Sequence, residues 1–97
     1  MKVYFDNAAT TPMDGEVLNA MMPYFTEQFG NPSSIHGFGR KTRTAIENAR
    51  KTVARLLNVT PAEIFFTSGG TEADNMAISQ CIASYDIKHV ISCKIEH

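Results

Sequence analysis

Ile64-Phe65-Phe66-Thr67 is a short, strand-type run that leads straight into Ser68-Gly69-Gly70 and, from Thr71, into a helical pattern. A run without polar alternation reads as a strand buried on both faces, an environment that an α/β sheet provides. The helix that follows extends to about Ser84, with Ala73, Ala77, Ile78, Cys81 and Ile82 on its inner face, and His89-Val90-Ile91-Ser92 reads as a further strand. Strand, helix and strand make an α/β unit. Two strands do not make a stable sheet covered on both faces.

Upstream, Val3 to Pro12 reads as an extended arm, apolar at first and then rich in turn formers. From Gly15 to Phe29, Val17, Leu18, Met21, Met22 and Phe25 recur at helical spacing. Asp14 is the expected N-cap and Pro23 the expected point of a bend. Gly30 to Gly37 concentrates breakers and turn residues and reads as a loop. A second helix is expected over Arg40–Leu57, where Thr42, Ala45, Ile46, Ala49, Val53, Leu56 and Leu57 share a face that the charged residues avoid. Asn58 and Pro61 mark its end.

The chain has 97 residues, too few for two domains with separate cores. For a chain of this size the apolar gain and the ordering cost nearly cancel, so an element that relies on a missing neighbour leaves the isolated chain partly unfolded. The pattern stops at Glu96-His97 without a closing element, and the expectation is the first part of a longer polypeptide. A hydrophobic content of 43% with 20% charged residues excludes disordered and collagen-like classes. The net charge of −1 offers no surplus for nucleic acid or an anionic membrane. No run approaches the roughly 18 apolar residues of a membrane span, and Met1 to Asp6 lacks a signal-peptide core, which makes a cytoplasmic location the expectation.

The turn from Thr67 to Glu72 is the chief candidate site. Free amides of a helix start and the positive end of its dipole suit an anion, glycine permits close backbone approach, and the hydroxyls of Thr67, Ser68 and Thr71 offer further donors. The same residues also fit an ordinary turn, with Ser68 or Thr71 as N-cap and Glu72 complementing the dipole, and local sequence alone favours that simpler reading. Neither the long phosphate loop ending in Gly-Lys-Ser/Thr nor the three-glycine dinucleotide fingerprint fits.

His97 follows the second strand at the end of the sheet where α/β ligands bind, although a histidine there is more often an exposed loop residue. His36 and Arg40 suit either an anion or a plain surface loop, and His89 reads as structural. The histidines and cysteines lack metal-ligand spacing. Cys81 and Cys93 are expected to be buried and reduced rather than bridged, Cys81 by core packing, while Cys93, following a strand, could also be accessible but has no neighbouring base to activate it.

Four motifs together resemble the N-terminal part of cysteine desulfurases: Asp6-Asn7-Ala8-Ala9-Thr10-Thr11-Pro12; Gly30-Asn31-Pro32-Ser33-Ser34 with His36 and Gly39-Arg40; Thr67-Ser68-Gly69-Gly70-Thr71-Glu72-Ala73-Asp74-Asn75; and Glu96-His97. They occur in that family's order and span essentially the whole chain. The resemblance implies an enzyme similar to class V aminotransferases that uses pyridoxal 5′-phosphate (PLP) to take sulfur from L-cysteine, leaving L-alanine and an enzyme persulfide. It implies the α/β large domain of aspartate-aminotransferase-like, fold type I enzymes. Residues 1–15 would be an arm belonging to the small domain, and residues 16–97 the start of the large domain.

Gly70 and Thr71 would hold the cofactor phosphate. His97 would stack on the cofactor ring and take part in proton transfer. The arm from Asn7 to Thr11 would lie near the substrate entrance. The cofactor-bearing lysine, the aspartate at the ring nitrogen, the arginine for the substrate carboxylate and the sulfur-accepting cysteine would all lie downstream. The 97 residues alone would then be inactive, and Cys81 and Cys93 would have no part in sulfur transfer. The expected partners are the rest of the polypeptide, a second subunit in a homodimer, and a sulfur acceptor or iron–sulfur scaffold protein. A selenocysteine lyase, another enzyme of the same fold, and a truncated non-catalytic binding or dimerisation remnant are the alternatives.

Overall fold

The computed structural model describes residues 1–95, and the chain divides into two compact units, Met1–Pro61 and Ala62–His97. In the first unit, α1 spans Gly15–Thr26. Its N-cap is Asp14, whose Oδ1 accepts from the amides of Glu16 at 2.8 Å and Val17 at 3.3 Å. The helix continues through Pro23 and stops three residues before Phe29, because the amides of Glu27 and Gln28 both turn back to the Pro23 carbonyl. In the arm, the amides of Ala9 and Thr10 both bond to the Asp6 carbonyl, so a turn interrupts the expected extended run.

The second helix, α2, spans Gly37–Leu57 and begins three residues earlier than the pattern predicts. His36 is the reason. Its Nδ1 accepts the Gly39 amide at 3.3 Å, an N-cap made by an imidazole instead of a hydroxyl or carboxylate. The loop before it is an Asx turn, with the Ser33 amide donating to Asn31 Oδ1 at 2.9 Å. This loop lies so close to α2 that a Cβ on Gly39 would sit 2.4 Å from the Ser34 carbonyl oxygen and 2.6 Å from that of Asn31. A Cβ on Gly30 would likewise come within 2.8 Å of the Phe38 carbonyl oxygen, and the Phe29 and Phe38 rings stack at 5.6 Å.

Thr42 adds a hydroxyl shared between the Phe38 and Gln28 carbonyls, which ties the end of α1 to the start of α2. Of the expected apolar stripe, Thr42, Ala45, Ile46 and Val53 are half-buried, but Ala49, Leu56 and Leu57 are exposed, and Ala54, outside that stripe, is buried. Asn58 closes α2 in the left-handed region at φ 55°, a conformation that asparagine tolerates.

A short 3-10 turn, η1, at Pro61–Glu63 spans the boundary between the units, and the second unit contains α3, Gly70–Tyr85, closed by Asp86 at φ 50°. The expected strands at Ile64–Thr67 and His89–Ser92 are not formed: among the described residues no strand is present. A strand is defined by its neighbour, and the two segments lack the further strands that would complete a sheet. The same deficit reverses the expectation for α3. Ile78 and Ile82 are exposed and Ala73 is only half-buried, so the apolar face of this helix is only partly covered by the described residues of the unit. Cys81 and Cys93 are exposed and not joined in a disulfide, contrary to the core packing expected of Cys81. Among the described residues no helix is long and apolar enough to cross a membrane.

Candidate functional site

The start of α3 is the candidate site, and its donors can be accounted for one at a time. Gly69 is the N-cap residue, and having no side chain it makes no cap bond. Its backbone is extended, at φ 167° and ψ 179°. Its carbonyl receives the Ala73 amide at 3.1 Å, which begins the helical ladder. The amides of Gly70, Thr71 and Glu72 precede that first bond and have no acceptor among the described residues. Three adjacent N–H groups thus sit at the positive end of a 16-residue helix.

The three candidate hydroxyls separate. Thr67 Oγ1 donates to the Gly69 carbonyl at 3.1 Å, and Ser68 Oγ donates to Glu72 Oε2 at 2.7 Å. Only the Thr71 hydroxyl remains available to a ligand. Neither Ser68 nor Thr71 acts as the N-cap, so that part of the simpler reading does not hold. Glu72, three residues into the motif from Gly69, reaches back past the cap residue and also accepts the Ser68 amide at 2.7 Å. The Ser68 amide, and after it the Ser68 hydroxyl, hold the Glu72 carboxyl below the usual carboxylate range. Asn75 Nδ2 donates to the Thr71 carbonyl at 2.7 Å and fastens the first turn from the other side.

Neither Gly69 nor Gly70 is required by space or by backbone, since a Cβ on either would meet nothing within 4 Å and neither has a φ in the left-handed region that favours glycine. What they provide is open room. Gly70 and Thr71 border a surface cavity of about 420 Å³, with Asp74, Asn75 and Ile78 lining it further along the helix. Unpartnered amides, one free hydroxyl and open space form a donor set suited to a phosphate dianion, which has acceptors only. The residues present therefore fit the phosphate end of PLP.

The other sequence candidates are placed differently. His97 lies outside the described residues. His36 and Arg40 belong to the first unit, where His36 caps α2 and Arg40 Nη1 donates to the Ile35 carbonyl, so both have structural work. His89 is exposed in an irregular segment. Among the described residues no group of histidine, cysteine and carboxylate side chains could hold a metal ion. Sequence reasoning treated Glu72 only as a dipole complement and missed its bonds to Ser68. The signal was the position of a glutamate three residues after a cap residue unable to cap.

A protein family described as aminotransferase class-V matches residues 3–97. The chain is 54% identical over 98 residues to a cysteine desulfurase IscS of Dictyoglomus turgidum, covering 99% of this chain and 25% of that protein. It is 51% identical to a putative cysteine desulfurase IscS 1 of Bacillus subtilis, over 99% of this chain and 26% of the relative. Among solved structures, a NifS-like protein superposes with a TM-score of 0.81 at 44% identity, over 89% of this chain and 24% of the other. The chain spans about a quarter of the length of these relatives. The likeness to the NifS-like structure gives the helices their place in an α/β fold, the class read from the strand and helix pattern.

Proposed function

Because the chain belongs to the aminotransferase class-V family, we propose that it is the N-terminal part of a PLP-dependent cysteine desulfurase, which removes sulfur from L-cysteine to give L-alanine and an enzyme persulfide. The observation that carries the site is the row of three unpartnered amides at Gly70, Thr71 and Glu72, with the Thr71 hydroxyl beside them. PLP, when bound, supplies the electron sink for bond breaking at the substrate carbons. Gly70 and Thr71 bind its phosphate and orient the cofactor on the large domain. The amides do so without moving, since the helix fixes them before the ligand arrives.

His97 is assigned, by the resemblance, to the face of the cofactor ring, where an imidazole nitrogen holds and passes a proton of the substrate. Residues 1–15 form an arm toward the small domain, and residues 16–97 open the large one. The remaining catalytic groups come from the rest of the polypeptide, in a cytoplasmic homodimer that passes sulfur to an acceptor or iron–sulfur scaffold protein.

The cradle is tested in the complete polypeptide by Gly70→Pro. Proline is tolerated at the first position of a helix, and the extended Gly69 suits a following proline, so the substitution removes one donor and leaves α3 intact. PLP affinity is expected to fall on the order of tenfold, and further in Thr71→Glu, where a carboxylate enters the phosphate position. Unchanged retention of PLP in both variants would remove the assignment. Release of alanine together with sulfide from L-cysteine and a reductant tests the reaction, and alanine without sulfide would contradict it.

A further inference from the structure

The three free amides exist because something other than the usual cap holds the turn in front of them. In a common capping box the residue before the helix accepts the amide of the third helical residue through its side chain, and a glutamate at that third position returns to the cap amide. Here the cap residue is Gly69, so the first half of the exchange is missing. The second half is displaced by one residue: Glu72 Oε2 takes both the amide and the hydroxyl of Ser68, each at 2.7 Å. Thr67 Oγ1 on the Gly69 carbonyl and Asn75 Nδ2 on the Thr71 carbonyl fasten the two ends. None of these bonds uses an amide of the first turn.

We infer that Glu72 is a positioning residue for the phosphate of PLP: by pinning Ser68 it fixes the turn at Gly69 while leaving the amides of Gly70, Thr71 and its own backbone free for the ligand. The inference rests on the reading of this helix start as the phosphate cradle and adds a role for a carboxylate that would otherwise only repel a dianion. Electrostatics and positioning therefore act with opposite signs. As a mere negative charge close to the phosphate, Glu72 would weaken phosphate binding, and its removal would strengthen it. As the clamp on Ser68, it strengthens phosphate binding, and its removal leaves the turn without a cap of any kind.

The test compares affinities of the complete apoenzyme for pyridoxal 5′-phosphate and for pyridoxal, which lacks the phosphate, in wild type, Glu72→Ala and Glu72→Gln. The ratio of the two affinities reports the cradle alone, because a general loosening of the protein weakens both ligands alike. Glu72→Ala is expected to reduce the preference for the phosphorylated cofactor on the order of tenfold. Glu72→Gln, which keeps an oxygen acceptor for the Ser68 amide and drops the charge, is expected to restore most of it. An unchanged or increased preference in Glu72→Ala would overturn the positioning role. If the wild type itself shows no preference for the phosphorylated form, the cradle reading fails and the role of Glu72 with it.

Discussion

Gly39 and Gly70 both stand in the first turn of a helix, and only Gly39 is there because nothing larger fits. A Cβ on Gly39 would press on two carbonyl oxygens of the preceding loop, at 2.4 and 2.6 Å, and those oxygens are backbone that cannot swing aside. Gly39→Ala is expected to cost about 1–3 kcal/mol of stability in the complete polypeptide, read as a lowered denaturation midpoint. Gly70→Ala meets open space and is expected to change stability by less than about 0.5 kcal/mol. The sequence shows two glycines near two helix starts and cannot separate these cases, because the difference lies in what packs against each. The hydroxyls of Thr67, Ser68 and Thr71 are a similar case. Their presence in the motif was legible, but which of them is left over depends on the Gly69 carbonyl and the Glu72 carboxylate.

Among the elements, the helices are the part that local pattern determines best. Asp14 was readable as a cap because a carboxylate before an apolar period has one common use, and it does accept two amides. Asp14→Ala is expected to cost about 1 kcal/mol, measured by thermal denaturation. The start of α2 lies before the point that local pattern indicates, because His36 is outside the usual set of caps and Gly37 and Gly39 count as breakers in sequence alone. At the start of α3 the cap depends on ionisation. The Ser68 bonds stabilise the charged Glu72, so their contribution is present above the ordinary glutamate range and is lost as pH falls through the lowered value. The Ser68 amide proton shift, followed by NMR against pH, is expected to titrate with a midpoint below that of a free glutamate side chain. The step should vanish in Glu72→Gln.

At the scale of the whole molecule, the missing information is non-local. Ile64–Thr67 and His89–Ser92 have the composition of strands, yet a strand forms only against other strands. Within the second unit, Phe65 is 68% exposed, and Ile78 and Ile82 lie on a helix face that is only partly covered. This is the surface left when a layered fold is represented by about a quarter of its length, which is the share of the relatives that the chain covers. The isolated 97 residues are expected to bind an apolar dye such as ANS and to melt without a cooperative transition, while the complete polypeptide melts sharply. A sharp, dye-free transition of the isolated chain would favour a self-sufficient module instead.

The cofactor assignment joins these scales, since it asks one turn of one helix to hold a ligand that the rest of the polypeptide completes. A crystal structure of the complete protein grown with PLP measures it directly. Phosphate oxygens are expected within about 3 Å of the Gly70 and Thr71 amide nitrogens. A phosphate bound elsewhere, with those amides facing only water, would contradict it.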